Sequence, residues 1–161
     1  MPTYNGKSQE IAQKLSSLRT LCDTGFALAI HIRYTRPTLL YQTYKQEWAD
    51  HYSEMGYMIS DPVVHWGLTN IGWVEWASLS DQDPNGVIAD AVAHGLTNGW
   101  TYAVGPATAR TIAGVTHSEH PFTKSDRDVI RAIIDEIHAE TEGFDTFPQD
   151  LQESLRNLPV T

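Results

Sequence analysis

The chain has 161 residues, 41% hydrophobic and 19% charged, enough for one domain with a real core and too few for two comfortable ones. Twenty acidic against eleven basic residues give a formal charge of −9, which opposes binding to a phosphate backbone, because that depends on clustered Lys and Arg. A single cysteine, Cys22, leaves no internal disulfide, the opening MPTYNGKSQE has no apolar run of the secretory kind, and no stretch is long and apolar enough for a membrane span; a reducing, cytoplasmic setting is expected.

Ile11, Leu15, Leu18 and Leu21 recur at helical spacing with Gly25 as the stop, predicting a first helix over 8–21. FALAIHIRY alternates Phe26, Leu28, Ile30, Ile32 and Tyr34 against smaller or polar residues, which predicts a strand with its bulky face in the core, broken by Arg36-Pro37. Tyr44, Trp48 and Tyr52 then fall at i, i+4 and i+8, placing three rings on one face of a helix over about 44–56, with Met55 near the end of the stripe. Asp61 before Pro62 is an N-cap followed by proline at a first helical position, opening a short helix over about 63–68. IGWVEWASL (71–79) alternates weakly and reads as a strand, with Trp73 as surface or interface packing. Asp83-Pro84 opens a core-facing helix carrying Val87, Ile88, Ala91 and Val92, ending near Gly95 or Gly99.

GWTYAVGP and ARTIAGVTHS read as two strands of a hairpin turning at Gly105-Pro106. Thr123 with Asp126 resembles a capping box, ahead of a long helix whose face is Val129, Ile130, Ile133, Ile134 and Ile137, to about Thr141. After Gly143 the chain becomes more polar, with a short helix near 149–157. The expected organisation is a single domain over 1–161, with its core over about 8–142 and a tail or the start of a linker over 143–161. The order of elements predicts an α+β fold, an α-β-α sandwich around an antiparallel sheet.

The aromatic stretch carries chemistry as well as bulk. An indole N–H only donates, a phenol donates or accepts, and an ionised carboxylate only accepts. A secondary amide needs an acceptor for its N–H and a donor for its C=O, and a lactone carbonyl needs one more donor; Asp61, Tyr44 and Trp48 supply one each. That is the inventory of an acyl-homoserine lactone site. The pattern Y-x3-W-x3-Y-x4-Y-x3-D-P-V-V over Tyr44–Val64, followed fifteen residues after Asp61 by Trp76, resembles the ligand-binding domain of LuxR-type quorum-sensing regulators. Taken singly, each of these residues has an ordinary structural reading, as a core ring or a helix cap; it is their joint spacing that is specific.

The resemblance implies a five-stranded sheet and a ligand held between it and the aromatic helix. It implies that Trp48 donates to the lactone carbonyl, Asp61 accepts from the amide N–H and Tyr44 bonds the amide carbonyl. Tyr52, Tyr57, Val63 and Trp76 would wall the ring and acyl chain, and Thr101 or Thr116 would bond a chain substituent. It also implies pairing through this domain, as a homodimer or with a full-length LuxR-type regulator. In such regulators a linker and a helix-turn-helix domain follow. Neither lies within these 161 residues, so the chain is expected to sense ligand without itself binding DNA, as part of a longer regulator or as a free-standing modulator of one.

Seven histidines invite an enzyme reading, since metal sites built from clustered His and Asp hydrolyse lactones. No H-x-H or H-E-x-x-H occurs, His117 and His120 fall in a predicted loop beside Pro121, and Ser118 has no orienting acid in view. A binding domain with no catalytic residue, no metal and no cofactor is therefore expected. A sensor for an unrelated metabolite would share the layout but lack the Tyr44, Trp48, Asp61 and Trp76 set.

Overall fold

The computed structural model describes residues 3–159. The chain begins with helix α1 (Thr3–Leu21), five residues earlier than the apolar spacing predicts, and Ile11, Leu15 and Leu18 are fully buried along its inner face. Strands β1 (Phe26–Arg33) and β2 (Arg36–Gln42) form an antiparallel pair joined by a two-residue turn. The break expected at Arg36-Pro37 is thus the start of a strand. Pro37 is tolerated there because β2 is the outermost strand, where a missing N–H removes no bond to a further neighbour.

Helix α2 (Gln46–Glu54), α3 (Pro62–Thr69), β3 (Gly72–Glu75), α4 (Val87–Ala93), β4 (Trp100–Val104), β5 (Arg110–Val115), α5 (Lys124–Glu140) and α6 (Gln149–Arg156) follow. The five strands form one antiparallel sheet in the order β2-β1-β5-β4-β3. Of the stretch read as one strand over 71–79, only the first part is extended; Trp76–Gln82 coil into a 3-10 helix, which turns Trp76 beneath the sheet.

Helices α1, α5 and α6 cover one face. Phe26, Leu28, Ile30, Trp100, Tyr102, Ala113 and Val115 of the sheet pack there against Ile11, Leu15 and Leu18 of α1, Ile130, Ile134 and Ile137 of α5, and Leu151 and Leu155 of α6. The polar segment after Gly143 takes part in this core, since Phe144, Leu151 and Leu155 are buried and Tyr41 donates its hydroxyl to the Leu155 carbonyl at 2.6 Å. Helices α2, α3 and α4 cover the other face, completing the three-layer sandwich. Cys22 is buried at the end of α1, and burial pushes its thiol up to about 12, so it behaves as a small apolar residue.

The alternation of β1 is interrupted. His31 has a left-handed backbone (φ 49°), and the pairing with β5 shifts register between Ala29 and Ile32. This bulge moves Ile32 off the face of Phe26, Leu28 and Ile30 and onto the opposite one, where it packs with Ala103 and Ile112. Across the hairpin, the buried Arg110 donates to the carbonyls of Gly105, Gly67 and Asn70, tying the end of α3 to the sheet.

Candidate ligand-binding site

Asp61 is the electrostatic centre of the α2–α3 layer. Proline at the first helical position of α3 leaves Asp61 in extended backbone as N-cap, with Oδ1 accepting the Val63 N–H at 2.9 Å. Its other oxygen, Oδ2, accepts the Tyr52 hydroxyl at 2.8 Å. Only 8% of Asp61 is exposed. Burial pushes its carboxyl above the ordinary range, while Tyr52 and the N–H groups of Val63 and Val64 pull against that rise. A carboxylate has about four lone-pair sites, so these protein donors leave room for one more.

Tyr52, which bonds this carboxylate, is one of three rings packed together. Trp48 and Tyr52 on α2 are 5.9 Å apart between centroids, Tyr57 lies 6.1 Å from Trp48 and 5.9 Å from Tyr52, and Trp48 and Tyr57 are buried. Gly56 makes this possible: its left-handed backbone (φ 61°) ends α2 and turns Tyr57 back toward the helix it has just left. Met55, expected to extend the stripe, is 56% exposed because α2 stops at Glu54.

Tyr44 precedes α2 rather than lying on it. Its ring sits against Gly25, and its hydroxyl donates to the Gly114 carbonyl at 3.1 Å. Burial pushes the hydroxyls of both Tyr44 and Tyr52 well up, so both remain protonated donors.

Trp76, Thr101, Tyr44 and Gly114 converge at a second point. The Trp76 indole N–H donates to the Thr101 hydroxyl at 2.8 Å, and a Cβ at Gly114 would lie within 3.5 Å of Trp76, 3.5 Å of the Tyr44 hydroxyl and 3.7 Å of Thr101. Trp76 rests on Gly99 so closely that a Cβ there would stand 2.0 Å from the indole. Trp76 also lines a cleft of about 600 Å³ with Ile88, Val92, Trp100 and Phe122. A smaller cavity of about 270 Å³, lined by His31, His138 and Phe144, is bounded by the end of α5.

The sequence-derived set thus falls into two linked groups and one outlier. Trp48, Tyr52, Tyr57, Asp61 and Val63 form the first, and Tyr44, Trp76 and Thr101 the second. Thr116 stands apart: its fully buried hydroxyl donates to the Gly25 carbonyl at 3.0 Å and accepts from Thr24 at 2.7 Å, so its bonding capacity goes to the loop after α1. Gly99 and Gly114 are the residues that sequence reasoning passed over. Their signal was present, since glycine inside a strand or at its start marks a close approach by another group. Ser118 donates to Asp23 rather than to His117, and His117 stacks on His120 with centroids 4.2 Å apart, an arrangement without the relay of a catalytic triad.

The chain matches the autoinducer binding domain family over residues 23–140, more than half of its length. No curated protein matches it. Among solved structures, SdiA in complex with octanoyl-rac-glycerol superimposes with a TM-score of 0.62 at 18% identity, covering 93% of this chain and 67% of that one. Escherichia coli SdiA in another structure gives a TM-score of 0.59 at 20% identity, over 92% of this chain and 66% of that one. CepR2 from Burkholderia cenocepacia, an N-acylhomoserine lactone dependent LuxR family transcription factor, gives 0.59 at 14% identity, over 89% of this chain and 96% of that one. At these identities the structural matches establish the shared fold, and the family match extends from Asp23 before β1 to the last residue of α5, taking in Tyr44, Trp48, Asp61 and Trp76. The chain therefore belongs to the autoinducer-binding domain family, the ligand-sensing and non-enzymatic domain of LuxR-type regulators.

Proposed function

We propose that the chain binds an acyl-homoserine lactone, with Trp48 donating to the lactone carbonyl, Asp61 accepting from the amide N–H and Tyr44 bonding the amide carbonyl. The observation that carries this reading is the buried Asp61 carboxylate, held by the Val63 N–H and by Tyr52, whose ring packs on Trp48 at 5.9 Å. Trp48 offers a donor and Asp61 an acceptor, and the Tyr44 hydroxyl, which otherwise donates to the Gly114 carbonyl at 3.1 Å, turns its single proton to the ligand's amide carbonyl. Tyr52, Tyr57, Val63 and Trp76 wall the ring, and the cleft beside Trp76, with Ile88, Trp100 and Phe122 on its lining as well as the polar Glu75, Ser80, Asp83 and Asn98, offers the acyl chain a path. Thr101, whose hydroxyl accepts from Trp76 and keeps its own proton, is better placed than Thr116 to bond a substituent near the head of that chain.

The octanoyl-rac-glycerol in the SdiA structure suggests one competitor, a monoacylglycerol, whose hydroxyls replace the amide N–H as donors to Asp61. The two ligands are separable by their thermal effects. A lactone present at a hundredfold its Kd adds about 2.7 kcal/mol, which for a chain of this size raises the unfolding midpoint by roughly 5–10 °C. The expected result is such a shift with one length class of acyl-homoserine lactone and a smaller one with 1-octanoylglycerol. Equal midpoints with and without every lactone from four to twelve acyl carbons would contradict the assignment.

The same reading gives the chain an output through protein rather than DNA contact, acting in the cytoplasm as a single binding domain. The net charge of −9 supports this, as do Val129 and Trp73, which leave apolar surface exposed on α5 and β3 for a second copy or a LuxR-type partner. No helix among the described residues is long and apolar enough to cross a membrane.

A further inference from the structure

Beside Trp48, α2 and the end of α4 meet through three side chains that the lactone reading does not use. One nitrogen each from His51 and His94 and one carboxylate oxygen of Asp90 all lie within 4.8 Å of one another, a grouping found nowhere else among the described residues. We infer that His51, Asp90 and His94 form a binding site for a divalent transition-metal ion of the zinc class, clamping α2 to α4.

The donor set fits that ion. Two imidazoles and a carboxylate are borderline ligands suited to Zn²⁺, and one open position would be left for water. Asp90 on α4 and His94, the residue that caps the end of that helix, are four positions apart and bring Nδ1 within 3.4 Å of Oδ1, the spacing by which one helix supplies two ligands. His51 reaches in from α2, its Nε2 already 2.6 Å from Asp90 Oδ2, with the proton between them occupying the place a metal takes.

His94 Nδ1 stands 3.4 Å from Asp90 Oδ1 and 2.8 Å from the Asp90 carbonyl, so a metal bound there displaces its proton, as it does at His51. Tyr57 donates to Asp90 Oδ2 at 2.6 Å, orienting the carboxylate from outside. Ligand atoms around Zn²⁺ stand about 3.3 Å apart, so the three need to close by no more than about 1.5 Å, a distance side-chain torsions cover. All three side chains are a quarter to a third exposed, which gives the ion a way in from solvent.

The location links the site to the pocket wall. The His94 and His51 rings lie 5.1 and 5.9 Å from the Trp48 ring, and the histidines stack on each other at 5.0 Å. A bound ion would fix the rings beside Trp48 and cross-link the two helices whose facing surfaces enclose it.

The test is a zinc titration of the purified chain without any lactone, by calorimetry and by thermal unfolding. One saturable Zn²⁺ per chain is expected, with an unfolding midpoint that rises as zinc is added and falls back with a chelator. Asp90→Asn and His94→Gln, each confirmed as folded by circular dichroism, should bind about 10–100-fold more weakly, whereas a His117→Gln/His120→Gln chain should bind as before. No saturable site, or a site equally strong in the Asp90→Asn and His94→Gln chains, would overturn the inference. Because lactone is absent, either result leaves the lactone assignment where it stands.

Discussion

Replacing Asp61 with alanine is expected to weaken acyl-homoserine lactone binding by roughly ten- to hundredfold, because the ligand's amide N–H would enter a buried site with no acceptor, at a cost of about 1–3 kcal/mol. The same substitution removes two protein bonds. The Tyr52 hydroxyl loses its 2.8 Å acceptor and helix α3 loses the cap on Val63, so the unliganded domain should also lose about 1–2 kcal/mol of stability. Asp61→Asn separates the two effects. An amide oxygen can still cap Val63, but its NH₂ would meet the ligand N–H donor to donor, so affinity should fall about as far as in the alanine variant while the unliganded midpoint recovers in part. Isothermal titration with the cognate lactone, paired with urea unfolding of the empty chain, measures both. Affinity unchanged in both variants would remove Asp61 from the site.

The second large effect is expected at Gly99. A methyl group there would meet the Trp76 indole at 2.0–2.5 Å, far inside van der Waals contact, and backbone on one side and a buried ring on the other leave no flexible end to yield. Trp76 must therefore tilt away. Doing so breaks its bond to Thr101 and opens the contact with Gly114 at the meeting point of Tyr44 and Thr101. Gly99→Ala should cost about 1–3 kcal/mol of stability from overpacking and weaken lactones of every chain length together, since the wall that moves belongs to the ring end of the pocket. Thr101→Val is the milder companion: it keeps the shape but strands the indole N–H, at about 1–3 kcal/mol. If Gly99→Ala unfolded at the wild-type midpoint, or lost affinity only for long chains, Trp76 would not be the head-group wall.

Helical elements with one strong apolar face were legible from spacing alone. Helix α5 starts at the Thr123 cap and buries Ile130, Ile134 and Ile137 in the core it shares with the sheet and α1, as its periodicity requires, while Val129, read onto the same face, is 46% exposed. Strand β2 was not, since Pro37 is a strand breaker everywhere except at an edge, and being at an edge is a property of the whole sheet. Ile32 was assigned to the wrong face because a bulge depends on the partner strand's register, which no single-strand pattern contains. At the site, the residues that share a local stretch were legible together: Tyr52 bonds Asp61 across nine positions of sequence. Contacts between distant segments were invisible. Thr116 sits where its hydroxyl is consumed by Gly25 and Thr24, and His51 meets Asp90 across thirty-nine positions, joined only when α2 and α4 pack.

The most direct measurement of the lactone assignment is mass spectrometry of small molecules extracted from the chain after expression with a mixed panel of acyl-homoserine lactones. The wild-type chain should carry one lactone, or one narrow length class, at close to one molecule per chain, and Asp61→Ala and Trp48→Phe chains purified in parallel should carry little or none. Wild-type protein that emerges without a lactone, or all three chains emerging with the same load, would contradict it.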